Sequence, residues 1–117
     1  MRYGFCPSKK AWKRQMKLMG CDAPYPDTEG SATTFTKNGE MMVVLVTLAD
    51  SAGTRPPTEV IGLMAHEAVH VWQSACEAAG DDEPSSEAEA YGVQSILQSL
   101  MDGYAKTRGG HPWKRKK

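Results

Sequence analysis

The residues of this 117-residue chain best equipped for chemistry are two histidines four apart with a glutamate directly after the first: His66-Glu67-Ala68-Val69-His70. On a helix, positions i and i+4 share one face about one turn apart, so both imidazoles reach the same point. Two neutral imidazoles so placed grip Zn²⁺ and leave coordination positions open for water and substrate. Glu67 is set to take a proton from that water and later return it to a leaving amine. The flanking residues Leu63, Met64, Ala65, Val71 and Trp72 are apolar. His66, Glu67 and His70 are therefore expected to be buried polar groups that need a partner, which a metal supplies.

A third ligand has to come from elsewhere. His111, the remaining histidine, stands in a glycine-containing tail and would be poorly positioned. The segment Ser85-Ser86-Glu87-Ala88-Glu89-Ala90-Tyr91 offers Glu87 and Glu89 at the start of a helix. There a carboxylate is favoured by the helix dipole. Two local readings pull apart. By the 3.6-residue period, Glu89 lies beside the apolar stripe of Val93, Ile96 and Leu100, and Glu87 about 110° from its centre. Conversely, Ser86-x-x-Glu89 reads as a capping box, which occupies Glu89 and leaves Glu87 free.

The elements that must position these groups follow from spacing and punctuation. Residues 1–7 read as an irregular lead-in. Ser8 caps a helix on which Trp12, Met16 and Met19 form an apolar stripe against Lys and Arg, and Gly20 ends it. Residues 21–31 are loop. Residues 33–49 read as a β-hairpin about the turn pair Asn38-Gly39. Its second arm, residues 41–48, is a near-continuous apolar run suited to a strand covered on both faces. A two-stranded hairpin is marginal alone, so it must pack on helices or gain a third strand. The motif helix is predicted over Pro57 to Ala79, stopped by Gly80. Val60, Met64, Val71 and Ala75 form its core stripe, with Trp72 and Cys76 as further core. A last helix starts near Ser85 or Ser86 and carries Val93, Ile96, Leu97, Leu100, Met101 and Tyr104 at helical spacing. These elements form one domain over residues 1–106, followed by a basic tail, 107–117, expected to be mobile.

Charge and cysteine usage narrow the function classes. Fourteen basic and fourteen acidic side chains give a formal net charge of zero. They are unevenly spread: the first twenty residues and the last twelve carry Lys and Arg without a single acid. The basic first helix reads as a solvated face, with a nucleic-acid contact as the rarer use of such a surface. No apolar run approaches a membrane span. With no apolar leader, and with Cys6, Cys21 and Cys76 at no metal-like spacing, reduced thiols in a cytoplasmic protein are expected.

HEAVH followed by Glu87-x-x-Ala90-Tyr91 resembles the gluzincin pattern, HExxH plus a glutamate on the following helix. The resemblance implies an α+β, zincin-like fold: an N-terminal helix, a hairpin or small antiparallel sheet, the HExxH helix, and a second long helix bearing the third ligand. It implies Zn²⁺ as cofactor, and His66, His70 and Glu87 as ligands with Glu89 as the alternative. Tyr91 stands where many gluzincins have Asp or Asn, and would orient a ligand or meet a substrate oxyanion. Over most of the chain, with CPSKKAWKRQMKLMG near the start and PYP before the hairpin, the sequence is similar to small zincin-like proteins of phages and prophages. Gln73 and, more weakly, Gln94 are candidates to hydrogen-bond a ligand. By fold analogy the strand at 41–48 would rim the cleft and bind extended peptide. The reading is a zinc-dependent metallopeptidase acting on a peptide or protein. Its rivals are a non-catalytic zinc-binding phage structural or morphogenesis protein, and a nucleic-acid-associated protein using the basic ends.

Overall fold

The computed structural model describes residues 1–108. His111 and the basic residues after it lie outside the described residues. The chain is α+β: a three-stranded mixed sheet between one helix on one face and two on the other. In chain order the elements are β1 (Arg2–Phe5), α1 (Lys9–Met19), β2 (Gly30–Lys37), β3 (Glu40–Leu48), a 3₁₀ turn at Asp50–Thr54, α2 (Pro57–Ala79) and α3 (Ser86–Thr107).

The apolar run in β3 follows from its place at the centre of the sheet, in the order β1-β3-β2. Val44, Val46 and Leu48 point to the α2/α3 side. Leu45 and Val43 point to α1, where Trp12 and Met16 bury against them. Full burial of each such side chain stabilises by about 1.5–3 kcal/mol, which is what holds the layers together. Trp12 also donates its indole N–H to the Ala23 carbonyl at 2.8 Å, fixing the loop after α1. The hairpin turns at Asn38 and Gly39, both at positive φ (53° and 78°), as a two-residue turn of this hand requires.

The third strand comes from the N-terminus. Residues 2–5, expected to be irregular, pair in parallel with β3, Arg2 opposite Val43 through Phe5 opposite Val46. The sheet is therefore mixed rather than purely antiparallel. Arg2-Tyr3-Gly4-Phe5 is too short and too mixed in polarity to announce a strand. Its partner supplies the pattern.

Helix ends follow the local chemistry. Ser8 Oγ accepts the Ala11 N–H, and Gly20 closes α1 in the left-handed region. Gly80 does the same for α2, with its N–H on Glu77 O and the Asp81 N–H on Cys76 O. These two bonds satisfy carbonyls the helix leaves open. The start of α3 corrects the capping-box expectation. Ser85, not Ser86, caps it, accepting from Ala88 N at 3.1 Å, so Glu89 is not held by a box with Ser86.

The domain also reaches past residue 106. Thr107 completes α3, and the Arg108 guanidinium donates to the carbonyls of Leu48 (3.2 Å) and Ala49 (3.0 Å), tying the helix end to the end of β3. The rest of the expected tail, 109–117, is outside the described residues.

Candidate metal centre

α2 buries Val60, Met64, Ala68 and Val71 against the sheet and α3. The turn of the helix then carries His66 and His70 to its outer face. Their Nε2 atoms lie 3.2 Å apart and their ring planes cross at 71°. His70 Nδ1 is 3.2 Å from Gln73 Oε1. With the Gln73 amide oxygen accepting at this contact, the His70 proton would sit on Nδ1 and leave the Nε2 lone pair for a ligand.

The spacing fits a metal. Two nitrogens bound at about 2.0–2.1 Å in a tetrahedral zinc site stand roughly 3.3 Å apart. Without an ion, a proton on His66 Nε2 would bridge the same gap. His66 and His70 would hold an ion through these two nitrogens in place of that proton.

Glu67 differs from the histidines. It is only 3% exposed, while both imidazoles are exposed. The expectation of three buried polar groups holds for Glu67 alone, because Met64, Ala68 and Val71 take the core side of the helix and leave His66 and His70 on the outer one. Burial pushes the Glu67 carboxyl above its ordinary range, and His66 and His70 pull it partly back. The ligand atoms of His66, Glu67 and His70 all lie within 4.8 Å of one another. Among the described residues this is the one cluster of three such groups.

Gly30, at the start of β2, accounts for the seating of Glu67. A Cβ there would stand 2.9 Å from Glu67 Oε2 and 3.3 Å from Leu48 Cδ2. The backbone of the strand thus closes directly over the carboxylate. Nothing in the sequence marks this, since the contact exists only once β2 and α2 are packed.

The acids of α3 are arranged differently from the expectation. Gly92 faces α2: a Cβ there would fall 2.2 Å from Trp72 Cζ3. Counting about 100° per residue from Gly92, Glu89 lies roughly 60° away, Tyr91 100°, Glu87 140° and Gln94 160°. Glu89 accordingly lines a hollow with Trp72, Gln73 and Cys76. Glu87, Glu89, Tyr91 (68% exposed) and Gln94 are all exposed, and neither Glu87 nor Glu89 joins the histidine cluster. The structure therefore brings Gln73 to the site, and leaves Glu89 in the hollow it shares with Gln73 and Trp72. It does not bring Glu87, Tyr91 or Gln94.

Two hollows open beside the cluster, of about 560 Å³ and 470 Å³, and Gly30, His66 and Glu67 line both. The first extends past Gly62 and Leu63 to Glu29, Arg55 and Glu59. The second runs along Thr34, His70, Gln73 and Ser74. Their shared wall is the first residue of β2, Gly30, with His66 and Glu67 of α2, and the second hollow continues along β2. This overturns the expected rim. β3 is paired on both sides, whereas β2 has one edge unpaired among the described residues. Arg55, Glu29, Glu59 and Gly62 are flanking residues the sequence did not single out. Gly62 alone had a signal, being four residues before His66.

The basic residues Lys9, Lys10, Lys13, Arg14 and Lys17 are exposed on α1, across the sheet from the cluster. All three cysteines are free. Among the described residues, no helix is long and apolar enough to cross a membrane. No family model, curated protein or solved structure matches this chain. The likeness to the zincins accordingly rests on the motif residues themselves.

Proposed function

We propose that the chain is a zinc-dependent peptidase of gluzincin-like type, with His66 and His70 as metal ligands and Glu67 as general base. The observation that carries this reading is the pair of Nε2 atoms 3.2 Å apart, with the His70 tautomer set by Gln73. A third ligand would be a carboxylate of α3; Glu89 lines a hollow with Trp72, Gln73 and Cys76 of α2, while neither it nor Glu87 stands in the histidine cluster.

A bound zinc ion supplies Lewis-acid polarisation of a carbonyl and acidifies water to a pKa of about 7. The protein residues do the rest. Gln73 holds the His70 ring. The Gly30 backbone and the α2 helix hold the Glu67 carboxylate at the wall shared by the two hollows. From there Glu67 takes a proton from attacking water and delivers it to the departing amine nitrogen. The free edge of β2 offers backbone N–H and C=O groups to an extended peptide, with the scissile bond between the hollows.

Incubation of the zinc-loaded chain with a mixed peptide pool, read by mass spectrometry, tests the reading. The parent cleaves, and Glu67→Gln retains zinc but loses cleavage. Undiminished cleavage by Glu67→Gln would end the base assignment. A zinc-loaded parent that cleaves nothing would favour a structural zinc site, which the open hollows on either side of Glu67 argue against.

A further inference from the structure

We infer that the 560 Å³ hollow is a selectivity pocket and that it takes a lysine or arginine side chain of the substrate. The inference rests on the peptidase reading for its catalytic consequence, but not for the binding it describes.

The first observation is a space with no occupant. Gly62 lies inside α2, one turn before His66 and on the same face. A Cβ there would meet nothing within 4 Å. No packing within the chain requires a glycine at this helical position, where it is unfavourable relative to alanine. Its absence of a side chain keeps the hollow open beside His66, and half-buried Leu63 forms an apolar flank.

The second observation is charge. Arg55 Nη2 bonds Glu29 Oε1, and Arg55 Nη1 stands 3.3 Å from Glu59 Oε1. One guanidinium thus serves two carboxylates, each through a single oxygen, and the rim keeps an uncompensated negative charge. That charge comes from Glu29, Glu59 and Arg55 alone, at the end of the hollow away from His66; Glu67, beside the dication, and Glu77, in the neighbouring hollow, are not part of it. A long aliphatic stem ending in a cation suits this arrangement: methylenes along Leu63 and the Gly62 gap, the cation at Glu59 and Glu29. An acidic side chain would add a further negative charge to an already negative rim.

The test uses peptides matched except for Lys, Gln or Glu at one position beside the scissile bond. Two measurements are made on the zinc-loaded full chain: kcat/KM with the parent, and calorimetric binding to Glu67→Gln. The lysine peptide is expected to be favoured about two- to fivefold over glutamine in both, as for a partly exposed charge pair. The preference disappears in Glu29→Gln/Glu59→Gln. Gly62→Leu reduces binding of the lysine peptide without lowering the melting temperature. Equal treatment of the three peptides, or preference for glutamate, overturns the pocket. If lysine-selective binding persists in Glu67→Gln but the parent cleaves nothing, the pocket stands and the peptidase reading falls. Absence of any binding removes the pocket whatever the parent cleaves.

Discussion

Gly30→Ala separates the placing of Glu67 from the holding of the metal. The new Cβ would lie 2.9 Å from Glu67 Oε2 and 3.3 Å from Leu48 Cδ2. Ordinary van der Waals contact begins near 3.5 Å, so the carboxylate must retreat by roughly half an ångström. A misplacement of about 1 Å costs on the order of 100-fold in rate, so about tenfold is expected in kcat. Overpacking costs about 1–3 kcal/mol. Alanine recovers about 0.5–1 kcal/mol of the entropy that glycine loses in a strand. The net loss is then at most about 2.5 kcal/mol, a fall of several degrees or more in melting temperature. The atoms nearest the new Cβ belong to Glu67 and Leu48 and not to His66 or His70, so zinc affinity should stay within about twofold. Peptide hydrolysis, a competitive zinc titration and a thermal melt on the same preparation measure all three. Full kcat with zinc bound would refute the contact's role. Loss of zinc in step with the rate would mean that Glu67 acts on the metal and not on water.

Three further substitutions probe the supports. Gln73→Ala frees the His70 ring and should weaken zinc binding by about 10- to 100-fold; an unchanged dissociation constant would show that the Nδ1 contact at 3.2 Å does not set the tautomer. Gly92→Ala drives a methyl to 2.2 Å from the Trp72 ring and should cost about 1–3 kcal/mol or more. Trp72→Leu in the same chain should recover part of that loss, as denaturant melts of the single and double variants would report. The Tyr25 hydroxyl is buried without a hydrogen-bond partner, so Tyr25→Phe should stabilise by about 1 kcal/mol. Tyr25 also titrates above its ordinary value, chiefly through burial and then through Cys6 and Asp50, with Arg108 opposing. The sign follows: the unfolded chain releases the phenolic proton near 10, while the folded chain holds it to higher pH, so stability falls as pH rises through that range. Tyr25→Phe should flatten this decline in melts between pH 8 and 11, and an equally steep decline would show that Tyr25 is not its source.

Much of the fold was legible because it is written in local chemistry. Ser8, Gly20, Pro57 and Gly80 bound α1 and α2 where capping and left-handed closure place them. Asn38-Gly39 fixed the hairpin, and the unbroken apolar run of β3 announced a strand covered on both faces. What was not legible depends on partners distant in sequence. β1 is a strand only because β3 accepts it. The same pairing makes β3 central and moves the free edge to β2, against the fold analogy that put it at 41–48.

The site divides along the same line. His66, Glu67 and His70 come together because one helical turn suffices. Helix phase sets where the α3 acids stand: with the cap at Ser85 and Gly92 against Trp72, Glu89 falls nearer the α2-facing side than Glu87, and neither joins the histidine cluster. Gly30 and the Arg55–Glu29–Glu59 group belong to the site only through packing between segments, which no spacing in the sequence reports.

The account rests on one ion held by the histidine pair, and a zinc titration with elemental analysis addresses it directly. The parent should bind one zinc per chain, His66→Ala and His70→Ala should each lose it, and Glu67→Gln should keep it. A parent that binds no zinc, or a His70→Ala variant that binds it as tightly as the parent, would contradict the assignment.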